Sequence, residues 1–331
     1  RGQSRSASVS YTYSQPGILP LTPSFAPAYR SLSVMSQSSK HPPLPEAVDA
    51  PRSQLRTQQA GRIAYYQDTR GTGRPLVLVH SINAAPSTYE VKPLFEHYAG
   101  KRPVYSIELP GFGHSERGDR PYSPEIYANA IRVLLEEVVQ APADLLALSL
   151  SSEFAARAAL GSPPSVASLV LISPTGFSER SLPSPMVGHG VHALLSARLW
   201  SQGLYDLVTS RRSIRYYLGK SFRGEPPQGL LDSAYATSHQ PGARYAPLVF
   251  LSTQLFTRDA DARLYARLTN QPVLAVADRD PYVTFERLAP RLAQNPNWQH
   301  EALGPHLGMP QWEQPDALLE ALERFWASAD S

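Results

Sequence analysis

The stretch ADLLALSLSSEFAARAAL occupies residues 143–160, and its two halves follow different periods. Ala143 to Leu148 is an almost unbroken apolar run, the mark of a strand covered on both faces. From Ser151 onward the apolar residues recur at helical spacing and alanine dominates. Ser149 sits at the join. A sharp strand-to-helix turn strains the backbone of its central residue and brings the two elements together, so the positions two before and two after must be small. Ala147 and Ser151 are small. The Ser149 hydroxyl then stands at the carboxyl end of a sheet, near the amides that open the next helix, where an oxyanion is stabilised.

The same alternation continues outward. Runs with strand character are GRIAYYQDT (61–69), expected at a sheet edge, then PLVLVH (75–80), RPVYSIEL (102–109), VASLVLIS (166–173) and PVLAVA (272–277), with a further strand-like NWQHEAL (297–303). Between them lie amphipathic helical patterns: PEIYANAIRVLLEEVVQ after Ser123, the segment after Ser149, and PDALLEALERFWAS near the C-terminus. This predicts an α/β fold with a doubly wound, mostly parallel sheet. The regularity stops between about Phe177 and Leu255, where VHALLSARLWSQGLYDLV and RSIRYYLGKSF follow one another without buried strands. That stretch reads as a helical insertion.

Composition bounds the rest. The chain has 331 residues, no cysteine and a net charge of +3. Disulfides, thiolate metal sites and a cysteine nucleophile are excluded, and the absence of cysteine fits a reducing compartment such as the cytoplasm. The arginines are scattered, so no nucleic-acid-binding face is expected. A mean hydropathy of −0.29 and the lack of any apolar run near 18 residues predict no membrane span. Eleven serines fall in the first forty residues and no acid precedes Glu46. Such a composition builds no core, so residues 1–52 are expected to be a disordered extension. It resembles an organellar transit peptide as much as a segment appended ahead of Met35.

A serine hydroxyl is a weak nucleophile without a base. His306 lies in a Gly/Pro-rich loop ahead of the last helix, from which an imidazole can return over the sheet edge. Asp280 follows the strand PVLAVA, where a carboxylate can orient a histidine and stabilise its cation. The order along the chain is Ser, Asp, His.

With these residues the chain resembles the α/β-hydrolase superfamily from about Arg62 to Trp326. LVLVHSINAAPSTYEVKPLF is similar to that family's strand, oxyanion loop and first helix, and IELPGFGHSER to its D-x-P-G-x-G-x-S segment. ADRDPYV and PHLGMPQWEQPDAL resemble the segments that carry its acid and its histidine. The resemblance implies a core at 53–177 and 256–331 with a helical cap at 178–255. It implies Ser149 as nucleophile, His306 as general base and then acid, and Asp280 as the partner of His306. The backbone amides of Ile82 and Leu150 would form the oxyanion hole. No metal or organic cofactor is implied. The expected activity is hydrolysis of a small, apolar carboxylic ester or thioester through an acyl-enzyme. Carbon–carbon bond hydrolysis, amidase or aminopeptidase activity and perhydrolysis use the same triad, and a ligand-binding protein with little turnover is the reading from another class.

Three positions depart from the family's pattern. Ser81 stands where the oxyanion loop usually has glycine, and its side chain is expected to narrow the hole. Ala147 and Ser151 replace the elbow glycines, and Leu148 a frequent histidine. Of the remaining candidates, Asp278 is expected to form an Asx turn beside Asp280, and His80 to hydrogen-bond within the oxyanion loop. His300 is expected on the preceding strand. His189 and His192 lack a third ligand and are expected at a surface. The cluster SRRSIR (210–215) reads as a solvated helix face. Trp200, Tyr205, Tyr216, Tyr217, Phe222 and Tyr245 are expected as insertion core or pocket lining. The partner expected is a small-molecule substrate, and the pattern carries nothing on oligomeric state.

Overall fold

The structure is a computed structural model and describes residues 41–197, 199–305 and 307–329. Eight strands form one sheet: β1 (Arg52–Thr57), β2 (Gly61–Asp68), β3 (Leu76–Val79), β4 (Val104–Ile107), β5 (Ala143–Leu148), β6 (Val166–Ile172), β7 (Val273–Val276) and β8 (Trp298–Glu301). Their spatial order is β1-β2-β4-β3-β5-β6-β7-β8. β1 pairs antiparallel with β2 and β2 with β4, and every other pair is parallel. The chain leaves β3 in one direction for β4 and reaches β5 on the opposite side. The crevice between the carboxyl ends of β3 and β5 is therefore the topological switch point, the place where open α/β sheets bind ligands.

Helices α1 (Lys92–Tyr98), α2 (Pro124–Val133) and α3 (Ser151–Gly161) follow β3, β4 and β5. After β6 come α4 (Pro185–Leu195), α5 (Ser201–Val208), α6 (Arg211–Gly219), α7 (Gln228–Ser238), α8 (Tyr245–Leu251) and the short α9 (Ala260–Arg263). The chain closes with α10 (Leu288–Gln294), α11 (Pro310–Glu313) and α12 (Pro315–Ala329).

Strand alternation splits the core in two. Val77, Val79, Leu145, Ala147, Leu169 and Leu171 face Tyr127, Ile131 and Phe154 of α2 and α3. Leu76, Leu78, Leu146, Leu148, Val170 and Ile172 face Leu94 and Phe95 of α1 and Leu318, Leu322 and Phe325 of α12. Both faces of the parallel strands are dry, which is why they read as continuous apolar runs. α12 buries Leu318, Ala321, Leu322, Phe325 and Trp326, a stripe at i, i+3, i+4, i+7 and i+8.

Three expectations are corrected. GRIAYYQDT is the second strand. The edge is β1, RSQLRT, whose outer residues are polar and exposed, as an unpaired edge requires. The ordered fold also begins upstream of residue 53, because Ala47 and Val48 are buried in the α1/α12-side core and the Ala47 amide donates to Tyr66 Oη at 3.1 Å. Residues 1–40 lie outside the described residues. Finally, VHALLSARLWSQGLYDLV is two helices, with a break between Leu195 and Ser201 where the Trp200 indole donates to the Leu194 carbonyl at 2.9 Å.

Candidate active site

Ser149 is half-buried and adopts φ +51°, left-handed backbone that costs a non-glycine residue about 1–2 kcal/mol. Its amide donates to the Ile172 carbonyl at 2.8 Å, which continues the β5–β6 ladder one residue past the strand before the chain turns into α3. The elbow expected from the sequence is therefore present at Ser149. Ala147 is fully buried, in register with Val79 and Leu171, and its methyl is part of the α2/α3-side core. Ser151 is also fully buried. Its hydroxyl donates to the His80 carbonyl at 2.6 Å and so ties the first turn of α3 to the end of β3.

The loop after β3 is braced from below. His80 is fully buried; its Nε2 accepts from the Leu109 amide at 3.0 Å, which leaves Nδ1 to donate to the Ser81 carbonyl at 2.7 Å. This matches the structural part expected of it. Ser81 is also buried. Its amide and hydroxyl both donate to buried Glu90, at 2.8 and 3.1 Å, and the Asn83 amide nitrogen donates to Glu90 at 2.8 Å. Ile82, between them, is buried. Neither its amide nor that of Leu150 donates to another described residue. Among the described residues, one amide without an acceptor thus lies on each side of the switch point.

Glu108, at the acid position of the P-G-F-G loop, is fully buried. Burial pushes its carboxyl up, but hydrogen bonding from His114, the nearby His80 and the Thr88 amide outweigh it and hold it at about 2. A Cβ at Gly113 would lie 1.5 Å from its carboxylate, so only glycine fits there.

Asp280 follows β7. Its Oδ1 accepts from the amides of Tyr282 and Val283, at 2.7 and 3.1 Å. This corrects the assignment of the Asx turn, which belongs to Asp280 and not to Asp278. Its Oδ2 is turned toward the 304–308 loop: a Cβ at Gly308, where φ is +102°, would stand 2.4 Å from it. Burial raises the Asp280 pKa above the ordinary value, partly offset by the two amides. Ser173, at φ +47°, brings its buried hydroxyl close to the same carboxylate without the geometry of a hydrogen bond. Asp278 Oδ2 meets the other end of the loop, 2.4 Å from a Cβ at Gly304. His306 lies outside the described residues, but its neighbours on both sides are clasped. Glu313 accepts from the Leu307 amide at 3.0 Å and from the Arg223 amide at 2.7 Å, and the Arg223 guanidinium reaches the Pro305 carbonyl at 3.5 Å.

The structure thus brings Ile82, Ser149, Leu150 and Asp280 to one edge of the sheet, past the carboxyl ends of β3, β5 and β7. The sequence profile of the alpha/beta hydrolase family matches residues 76–321. The chain belongs to the alpha/beta hydrolase family. Among solved structures it resembles a serine hydrolase involved in carbazole degradation, at 14% identity and TM-score 0.67 over 84% of this chain and 99% of that one. It also resembles a probable hydrolytic enzyme of Pseudomonas aeruginosa, at 18% identity and TM-score 0.68 over 84% and 95% of the two chains. A third is a meta-cleavage product hydrolase of Pseudomonas fluorescens, at 17% identity and TM-score 0.65 over 84% and 98%. No curated protein matches the chain.

In this hydrolase the helical insertion is fastened to the loops around the crevice. Tyr205 donates from its hydroxyl to the Ala84 carbonyl at 2.8 Å, Ser233 Oγ lies 3.3 Å from Ser87 Oγ, and Tyr282 donates to the Tyr217 carbonyl at 2.8 Å. The aromatic residues expected there divide. Tyr205 and Phe222 are buried and Tyr245 partly so, whereas Trp200, Tyr216 and Tyr217 are exposed. Arg211, Arg212 and Arg215 are exposed and line a groove of about 250 Å³ with Gln228 and Leu231. His189 is exposed, with its ring nitrogen donating within α4 to the Pro185 carbonyl, and burial lowers the pKa of half-buried His192. Among the described residues no group of three or more His, Asp or Glu is placed to hold a metal. His300 lies on β8, as expected.

The sequence reading passed over Glu90, Glu153, Ser173, Gly308 and Glu313. Glu153 is buried one turn after Ser149, accepts from the Thr175 hydroxyl and from the Thr257 amide, and burial raises it to about 7.

Proposed function

We propose that this hydrolase cleaves a small, apolar carboxylic ester or thioester with Ser149 as nucleophile, His306 as base and acid, and Asp280 as the orienting carboxylate. The observation that carries this reading is the strained serine at the switch point, flanked by two amides without partners among the described residues, together with an aspartate whose Oδ2 addresses the loop that bears the only histidine in the 304–308 segment. Ser149 Oγ attacks the carbonyl carbon as its proton passes to His306, and the charge on the carbonyl oxygen is received by the Ile82 and Leu150 amides. Collapse expels the alcohol or thiol, which takes the proton from His306. Water then attacks the acyl-enzyme, loses a proton to His306, and releases the acid and Ser149. Asp280 remains ionised and stabilises the imidazolium.

The insertion over the crevice serves as a cap whose buried aromatic residues favour an apolar acyl group. A fluorophosphonate probe tests the reading. Stoichiometric labelling of the wild type that vanishes in Ser149→Ala is expected, together with loss of turnover across a panel of esters, thioesters, amides and carbon–carbon substrates. Folded wild-type protein that takes up no label would show instead a ligand-binding member of the family.

A further inference from the structure

We propose that the outer face of α4 and the start of α5 is a docking surface for an anionic lipid membrane, which the protein meets from one side without inserting a span. α4 is Pro-Met-Val-Gly-His-Gly-Val-His-Ala-Leu-Leu, with no charged side chain, and Gly188 is its single buried residue. Helices of folded proteins hold together by burying an apolar stripe against the core. Here the stripe is turned outward. Met186 is 84% exposed, Leu194 61% and Leu199 91%. Of the eleven exposed large apolar side chains among the described residues, seven fall between residues 186 and 207. The Trp200 indole, docked on the Leu194 carbonyl, joins α4 to α5 in one surface and places an amphipathic ring at its border. Scattered exposed apolar residues are ordinary; a concentration of this kind marks an interaction site.

Charge identifies the occupant. Residues 178–255 contain eight Lys and Arg against four Asp and Glu, whereas residues 53–177 with 256–331 contain eighteen against twenty-two. A net +4 on the insertion thus faces a net −4 on the body that carries it. Basic groups also border the apolar surface. Arg258 reaches the Pro183 carbonyl at 2.7 Å, just ahead of α4, and Arg244 reaches Gln202 of α5 at 2.8 Å. Arg211, Arg212 and Arg215 follow on α6 after two intervening residues, Arg211 paired with Asp232 at 2.6 Å and Arg215 with Glu225 at 3.3 Å. Asp206, the acid of α5, is held by Gln202 at 2.7 Å. An uncharged helix rich in Met, Val and Leu beside arginines and a border tryptophan is the chemistry of an interfacial helix on anionic lipid. No helix of the described residues is long and apolar enough to cross a membrane, so the contact is peripheral.

The test uses the full chain and vesicles of phosphatidylcholine alone or mixed equally with phosphatidylglycerol. Wild type is expected to sediment with the mixed vesicles and much less with phosphatidylcholine, with salt weakening the binding. The double variant Met186→Ser/Leu194→Ser is expected to lose about tenfold or more in affinity with an unchanged far-UV circular dichroism spectrum. Trp200 provides a second readout that needs no α4 variant: the emission blue shift on mixed vesicles should disappear in Trp200→Phe. Wild type that ignores both vesicles, binding undiminished in the double variant, or a blue shift that survives Trp200→Phe would each overturn the proposal. A stable dimer in light scattering that the double variant dissociates would also overturn it, assigning the surface to a second copy. Running the assay on Ser149→Ala separates this result from the fate of the proposed triad.

Discussion

Replacing Ser151 decides whether its hydroxymethyl obstructs the elbow or holds it together. The residue stands where the family usually has glycine, so a purely steric view predicts that Ser151→Ala or Ser151→Gly relieves crowding and improves the enzyme. The structure predicts the reverse. Ser151 and His80 are both fully buried, and the 2.6 Å bond from the Ser151 hydroxyl satisfies the His80 carbonyl. Alanine removes the donor and leaves that carbonyl without it, away from water. The cost of such a group is about 1–3 kcal/mol, whereas any relief concerns one hydroxyl in a site that already accommodates it. In urea, with a slope of roughly 3 kcal/mol/M, the unfolding midpoint should fall by about 0.3 to 1 M. The bond also spans the nucleophile's helix and the loop of Ile82, so the rate of fluorophosphonate labelling should fall several-fold in both variants. An unfolding free energy within about 0.5 kcal/mol of wild type, with labelling as fast or faster, would refute the bracing argument and restore the steric one.

Gly308→Ala should remove most activity, because φ is +102° and the new Cβ would lie 2.4 Å from Asp280 Oδ2; urea titration should show a loss of about 1–3 kcal/mol. Glu313→Ala releases the loop segments on both sides of His306, and kcat should fall roughly tenfold or more with KM little changed, as expected for misplacement of a reacting group. Normal kcat in a folded variant would remove Glu313 from that part. Glu153 gives stability a pH dependence whose sign is opposite to that of a salt-bridged acid. Its folded pKa is raised to about 7 against an ordinary 4.5, so its stabilising contribution is full below about pH 4.5 and is lost as pH rises through 7. The shift corresponds to about 3 kcal/mol, and wild type should lose that much relative to Glu153→Gln between pH 4.5 and 8 in parallel urea titrations. Parallel pH profiles would show that the carboxyl does not titrate as described.

The sheet was legible because its strands are dry on both faces, and a run such as Leu145 to Leu148 has no soluble alternative. Ser149 was legible for a related reason: an unbroken apolar run and a helical pattern meet there with two residues between them. β1 escaped because an edge strand has a polar outer side, and RSQLRT alternates without an apolar majority. The break after Leu195 escaped because it is fixed by a side-chain bond, from the Trp200 indole to the Leu194 carbonyl, which hydropathy does not encode. The sequence does not separate Asp278 from Asp280 as the Asx residue, since both precede loop residues; Asp280 takes the two amides through the fold of the loop after β7. Ser81, expected to narrow the hole, and Ser151, expected only to be small enough for the turn, have one thing in common. Sequence reports the volume of a side chain at a crowded position but not the partner that has been built for it.

Carboxyl groups that carry no chemistry in the proposed reaction, three of them buried, hold the backbone around the site. Glu90 receives the Ser81 amide, Glu108 the Thr88 amide, Glu153 the Thr257 amide and Glu313 the Leu307 amide. In each case a carboxyl group takes up a backbone donor outside the strands, which no ladder satisfies. A segment held by an ionised acceptor, as the Thr88 amide is by Glu108, has less freedom than one held by water, because charge-assisted bonds are shorter and stronger than neutral ones. The strained φ of Ser149 needs such surroundings, since a local cost of about 1–2 kcal/mol persists only where neighbouring contacts over-determine the conformation. The departures from glycine at 81 and 151 fit the same logic: each adds a hydroxyl that donates into this network, so rigidity supplied elsewhere by tight backbone approach is supplied here by hydrogen bonds. That is why the elbow tolerates side chains where glycine is usual, and why removing those hydroxyls, rather than keeping them, is expected to harm it.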